Sequence, residues 1–316
     1  DPIRIQRCMR LPELGPKILF FSGGSALKGF SEVLKSYTHN SIHLLTPFDS
    51  GGSSAKLRKS FDMPAVGDIR SRLMALADES ISGNPEVYRL ARYRLSETKS
   101  PRALLVELNS LTAGEHKLVK AIPNPLRRLI RLQLEFFTEQ MPADFDLRGA
   151  SIGNLILTGG YLNYQRHLDP ILYLFSKLLA VRGVVRATTS ASLHLVAELE
   201  NGDKIIGQHQ FTGKECSPIS SPIKRLSLSH SCQSDKPRTV DLKDKVRGLI
   251  MGADMICYPP GSFYSSLIAN LLPTGVGKAI ASSACPKIYI PNLAEDPEQI
   301  GLDLASSIST LLSYLK

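Results

Sequence analysis

Residues 46–78 read TPFDSGGSSAKLRKSFDMPAVGDIRSRLMALAD, and the order of residue types in this stretch decides the fold. Asp49 stands at the expected C-terminal end of a short apolar strand, Ile42 to Leu45. Gly51, Gly52, Ser53 and Ser54 follow it, and a basic helix then begins through Lys56, Arg58 and Lys59. Gly67 and Asp68 open a second helix that carries Arg70 and Arg72, with Ile69, Leu73, Leu76 and Ala77 at helical spacing. Glycines let a ligand approach the backbone, hydroxyls and N–H groups at a helix start accommodate an anion, and arginines add charge that pairs with it. The stretch reads as a site for a phosphorylated ligand.

A similar unit lies upstream. Lys17 to Phe21 is an apolar run that ends at Ser22-Gly23-Gly24-Ser25 and passes into helical spacing through Leu34. Two strand–turn–helix units with parallel strands bring their C-terminal loops side by side, the layout of a doubly wound sheet. The glycines do not spell GxGxxG, so the dinucleotide fingerprint is absent. Further on, Val184 to Ala187, Leu193 to Leu199 and Lys204 to Gln208 read as strands, with Asn201-Gly202 as a hairpin turn. Residues 213 to 239, rich in Ser, Pro, Lys and Asp, read as loop and as the best candidate for mobility. Asp254 to Cys257 and Lys287 to Ile290 resume the parallel pattern.

The expected fold class is therefore α/β: a Rossmann-like, doubly wound, mainly parallel sheet with a helical insertion at about 85–140 and an antiparallel β inset at about 184–230. Residues 1–16 form an N-terminal arm and 17–316 one domain. Ala150 to Asn154, ASIGN, is a helix start, and Asn154 there suits either a ligand contact or a backbone cap, the cap being favoured on residue type.

The balance of 38 Lys and Arg against 29 Asp and Glu gives a net charge of +9, but the charge comes in short groups. Arg89, Arg92 and Arg94, and Arg127, Arg128 and Arg131, fit solvated helix faces, and no aromatic interleaving supports a specific nucleic-acid footprint. Five cysteines without a CxxC pair argue against a disulfide framework or structural zinc and fit a reducing cytoplasm. No run reaches the ~18 apolar residues of a membrane span, and the segment before Lys17 lacks the apolar core of a signal peptide.

The motifs FSGGSALKGF, FDSGGSSAKLRKSF, GDIRSRLMALAD, SIGNLIL, LLAVRGVVRATT, ELENGDKIIGQ, PGSFYSSLIANLLPTGVGKAI and KIYIPN, in that order, resemble the 2-phospho-L-lactate transferase (CofD-type) superfamily. Within it the chain looks most similar to the gluconeogenesis-factor (YvcK-type) branch. The resemblance implies a sheet that carries a nucleoside diphosphate. It also implies either a transferase that uses a divalent metal to move a phospholactyl-type group to a hydroxyl, or a regulator that binds a nucleotide sugar. By position, Gly23, Gly24 and Ser25 match the first phosphate loop, Asp49 with Gly51 to Ser54 the second, and Gly67, Asp68 and Arg70 the carboxylate loop. Gly261, Ser262 and Tyr264 match a late loop near the base or ribose, and the regulator reading uses Tyr264 and Asn292 to select the nucleoside, although the Tyr264 ring suits the core nearly as well as a base stack.

The resemblance makes Asp49 and Asp68 the candidate catalytic and Mg2+-holding carboxylates, with Arg58 and Asn154 among the phosphate contacts; no covalent or redox cofactor is expected. It also admits a homodimer and a protein partner. The chain departs from the family at Ala26, where a glycine is usual, and at Ser50, where a second aspartate is usual. The second departure leans toward binding without catalysis.

Overall fold

The computed structural model describes residues 1–213 and 216–316. Two compact units make up the chain: Asp1–Gly51 with Arg182–Lys316, and Gly52–Val181.

The first unit is built on a parallel sheet of β1 (Ile18–Ser22), β2 (Ile42–Leu45), β3 (Val184–Ala187), β8 (Met255–Tyr258) and β9 (Lys287–Tyr289). Their order across the sheet is β3-β2-β1-β8-β9, all neighbours parallel. Successive side chains of a strand face opposite ways. Leu19 and Phe21 of β1 accordingly enter the large core with Leu44, Ile256 and Tyr258, while Phe20 packs on the other face with Leu27, Leu34 and Cys257. Burial pushes the Cys257 thiol up to about 11, in keeping with its role as a small core hydrophobe.

A second, antiparallel sheet contains β4 (His194–Leu199), β5 (Lys204–Ile206), β6 (Ile223–Ser229) and β7 (Pro237–Arg238), in the order β5-β4-β6-β7. The stretch expected to be loop, 213–239, therefore contains β6, a central strand of this sheet; Lys214 and Glu215 lie outside the described residues. Its alternation is masked in sequence because the register slips at Glu198/Leu199, where Glu198 pairs with Arg225 but Leu199 with Ile223. A bulge of this kind puts one extra residue out of phase.

The second unit is helical. It begins at Gly52, well before the insertion expected at about 85, because the basic segment after the glycine turn, Gly52–Phe61, and the next helix, Gly67–Ala75, pack with the later helices. At its centre lies Ile152–Asn163, buried from Ile152 through Tyr161. Such a helix must be small where its neighbours cross it. A Cβ on Gly159 would lie 1.8 Å from the carbonyl oxygen of Gln133, and one on Gly153 2.6 Å from that of Ala91. Among the described residues no helix is long and apolar enough to cross a membrane.

Gly159→Ala is expected to lower the unfolding free energy by about 3 kcal/mol, since the clash is with backbone that cannot rotate away. Chemical denaturation monitored by circular dichroism checks this.

Candidate functional site

In the first unit the chain runs from β1 to β2 to β3 on one side of β1, then crosses to β8 and β9 on the other. The switch point is between β1 and β8, where open α/β sheets place ligands beyond the strand ends. The loops there are Gly23-Gly24-Ser25 after β1 and Pro259-Pro260-Gly261-Ser262 after β8. Gly24 is buried and Ser25 exposed. Gly261 has φ +147°, and a Cβ there would sit 3.4 Å from that of Ala26, so the two loops meet at this point. A cavity of about 460 Å3 is lined among others by Ala26, Gly261, Ser262 and Asn292. The last residues of the two flanking strands carry hydroxyls, Ser22 Oγ and Tyr258 OH, that are buried without a hydrogen-bond partner among the described residues.

After β2, Asp49 Oδ1 accepts from Gly51 N at 3.1 Å, a local turn that short acidic side chains favour. Ser50, where the family's second aspartate is usual, is held by His209: its Oγ lies 2.8 Å from His209 Nδ1 and accepts from His209 N at 3.2 Å. His209 lies far along the chain in a short helix, Gln208–Phe211. Residue type gave no reason to place it at this turn.

The late loop is built differently from the expectation. Tyr264 is 2% exposed, part of the core, and its hydroxyl donates to Ile223 O at 2.9 Å. Its ring is packed where no base can stack on it, because the chain turns helical at Phe263 and carries the ring inward. Asn292 clamps the loop: Oδ1 accepts from Gly261 N and Nδ2 donates to Gly261 O, both at 2.8 Å. Two carboxylates take the first N–H groups of the helical segment, Asp296 from Phe263 (2.7 Å) and Glu298 from Tyr264 and Ser265 (2.8 and 2.7 Å). Orphan donors at a helix start need such acceptors. The sequence marks Asp296-Pro297-Glu298 as a helix start by its capping residue and proline, but not as the cap of another helix.

In the helical unit Asn154 accepts from Arg70 Nε at 2.9 Å and donates to Ser53 Oγ at 3.3 Å, bringing three expected site residues into one chain of hydrogen bonds. Burial, and then the like charge of Arg94, pull the Arg70 guanidinium down to about 10. Gly52 and Ser53 open the helix Gly52–Phe61, in which Ser54 and Arg58 are buried. Gly67 and Asp68 open the next helix. Asp68 offsets part of the burial cost of Arg72, which is fully buried and drawn down to about 10. Among the described residues no three His, Cys, Asp or Glu side chains converge as a metal-ligand group.

A doubly wound parallel sheet with glycine turns at its switch point defines a Rossmann-like α/β protein. A family model described as 2-phospho-L-lactate transferase CofD matches residues 18–316, and the chain belongs to that family. It is 28% identical to the gluconeogenesis factor of Bacillus subtilis, over 95% of this chain and 75% of that one. A Nostoc sp. relative provisionally described as a gluconeogenesis factor is 30% identical, and the chain spans 52% of its length. A crystal structure of a UPF0052-family protein from Bacillus halodurans superposes with a TM-score of 0.70 at 24% identity, covering 95% of this chain and 77% of that one.

Glu298 generates a pH prediction. Burial, then Asp296, push its carboxyl up from 4.5 to about 7, against the pull of its three donors. In the unfolded chain it ionises near 4.5 and in the folded chain near 7, so the folded state holds the extra proton in between. Stability contributed by the protonated group is therefore lost as pH rises through that window, by roughly 3 kcal/mol. Glu298→Gln, which keeps the acceptor without the charge, is expected to flatten this part of the stability–pH curve, measured by denaturant melts from pH 4 to 8.

Proposed function

We propose that the chain is a nucleoside-diphosphate-binding protein, and within that class a metabolic regulator that binds a nucleotide sugar. The observation that carries the reading is the cavity at the switch between β1 and β8, lined by Ala26 from the first loop and by Gly261 and Ser262 from the second. Ser25 offers an exposed hydroxyl to a diphosphate, and Gly261 keeps the facing wall free of a side chain. The gluconeogenesis-factor names of the relatives support the regulatory reading. So does Ser50, which contributes a neutral hydroxyl tied to His209 where a second carboxylate is usual.

The family match keeps phospholactyl-type transfer as the second reading. Mg2+ at phosphate sites is held by one or two carboxylates together with the phosphates themselves. Asp49 is the residue of this unit that would hold it beside the glycine turn, and the ion would neutralise charge on the diphosphate. Asp49 would then orient the phosphates while the acceptor hydroxyl, losing its proton, attacks the phosphorus of the phospholactyl group in line and the bond to the departing nucleoside monophosphate breaks.

Calorimetric titration with uridine diphosphate N-acetylglucosamine and with guanosine diphosphate, each with and without Mg2+, tests the reading. Metal-independent binding of the uridine ligand is expected. Guanosine binding only with Mg2+ would favour the transferase, and no heat from either would overturn the nucleotide assignment. Ser25→Glu, at an exposed position, is expected to weaken binding at least about tenfold, roughly 1.4 kcal/mol, by charge repulsion at the diphosphate, with the melting temperature unchanged.

A further inference from the structure

The helix Leu126–Gln140 starts at the end of the helical unit away from Asn154. Its direction follows from two contacts: a Cβ on Gly159 would touch both Gln133 and Phe137, and Asn163 Nδ2 donates to Gln133 Oε1 at 3.2 Å. The helix therefore runs opposite to Ile152–Asn163. With a rise of about 1.5 Å per residue, Arg127 and Asn154 stand roughly 20 Å apart along the pair. At this far end a cavity of about 320 Å3 is lined by Gly114, Asn124, Arg127, Arg128 and Arg131. The three arginines, expected on a solvated helix face, converge on it instead.

Two of the guanidiniums are held by backbone carbonyls of other elements. Arg131 Nε donates to Thr112 O at 2.8 Å, near the end of the helix Pro101–Ala113, and Arg127 Nη1 donates to Lys120 O at 3.4 Å, at the end of Lys117–Lys120. Gly114 makes room for the first contact: it ends its helix at φ +81°, and a Cβ there would stand 3.0 Å from Arg131 Cδ. A carbonyl occupies a donor without cancelling the charge. Arg131 Nη2 also reaches Glu135 at 3.5 Å. Arg128 is exposed and has no hydrogen bond or ion pair among the described residues.

No carboxylate lines the cavity. Across residues 112–134 the sequence sets Lys117, Lys120, Arg127, Arg128 and Arg131 against a single acid, Glu115. Ordering long side chains costs entropy, and the carbonyl contacts meet part of that cost before any partner arrives. Beside the cations, Leu129 and Leu132 are 36% and 41% exposed. Spacings of three and four residues put Leu132 on a face shared with Leu129 and Arg128, away from the buried Ile130, Leu134 and Phe137.

We propose that this corner of the helical unit docks an acidic segment of a partner protein, its carboxylates seated among Arg127, Arg128 and Arg131 and its apolar side chains on Leu129 and Leu132. An arginine fork matches a carboxylate with two parallel hydrogen bonds. The leucines give the contact an apolar part, which matters because exposed ion pairs alone contribute little. Nucleic acid fits the same surface less well. Its bases call for aromatic faces, no aromatic side chain lines the cavity, and the leucines would lie against a charged backbone. The surface shares no residue with the crevice between β1 and β8, so the inference does not rest on the nucleotide reading.

The test is fluorescence anisotropy of the whole protein with a fluorescein-labelled peptide of repeated Glu-Glu-Leu triplets, beside its Gln-Gln-Leu counterpart and a labelled oligouridylate. The acidic peptide is expected to bind at least about tenfold tighter than the glutamine peptide. Arg128→Gln and Leu132→Ser should each weaken it about fivefold, with the melting temperature unchanged because both side chains are exposed. Lys245→Gln, which removes one charge from an exposed position of the first unit, should leave it unchanged. No binding of the acidic peptide or equal binding of the glutamine peptide would overturn the proposal. So would the same loss in Lys245→Gln as in Arg128→Gln, which would reduce the effect to net charge. Tighter binding of the oligouridylate, with Leu132→Ser neutral, would overturn it in favour of a phosphate footprint.

Discussion

Two neighbouring parallel strands cannot be joined by a hairpin, because the chain must return to the starting edge of the sheet before it can run the same way again. β2 and β3 are such a pair, in register from Ile42 with Val184 to Leu45 with Ala187. The whole of Gly52–Val181 is the connection between them. That constraint organises the molecule: it makes the helical unit an insertion in a sheet, and it requires the turn after β2 to leave the sheet at the edge where the glycine loops lie.

The strand order adds the second requirement. Because β8 is laid down on the far side of β1, the loops after β1 and β8 flank a crevice at the switch point of the sheet. Its shape is then maintained by long-range polar contacts. Asn292 holds both backbone groups of Gly261, and Asp296 and Glu298 satisfy the N–H groups that follow. Asp296 and Glu298 therefore belong to the scaffold of this loop.

Much of this was legible in the sequence, for identifiable reasons. β1 and β8 are continuous apolar runs that end at Ser and Pro, and buried parallel strands read that way. The glycine turns stood out because a strand followed by glycine and a helix has few alternatives. β6 was hidden by a bulge that breaks its alternation. Tyr264 illustrates a different limit: residue type suits both a base-stacking face and a core ring, and only the turn at Phe263 sends it inward. His209 carries no local signal, since its place depends on a contact across the first unit.

The insertion has a consequence for how the chain folds. β2 and β3 are four residues each and parallel, so pairing them fixes Leu45 and Val184, which lead into and out of the insert, about 10 Å apart along the strand direction, three rises of such a strand. Once the sheet forms, the helical unit no longer has free ends, and its unfolded ensemble loses the entropy of a closed loop. The sheet acts on the helices as a tether, a restraint that needs no covalent cross-link and that disappears if β3 fails to pair.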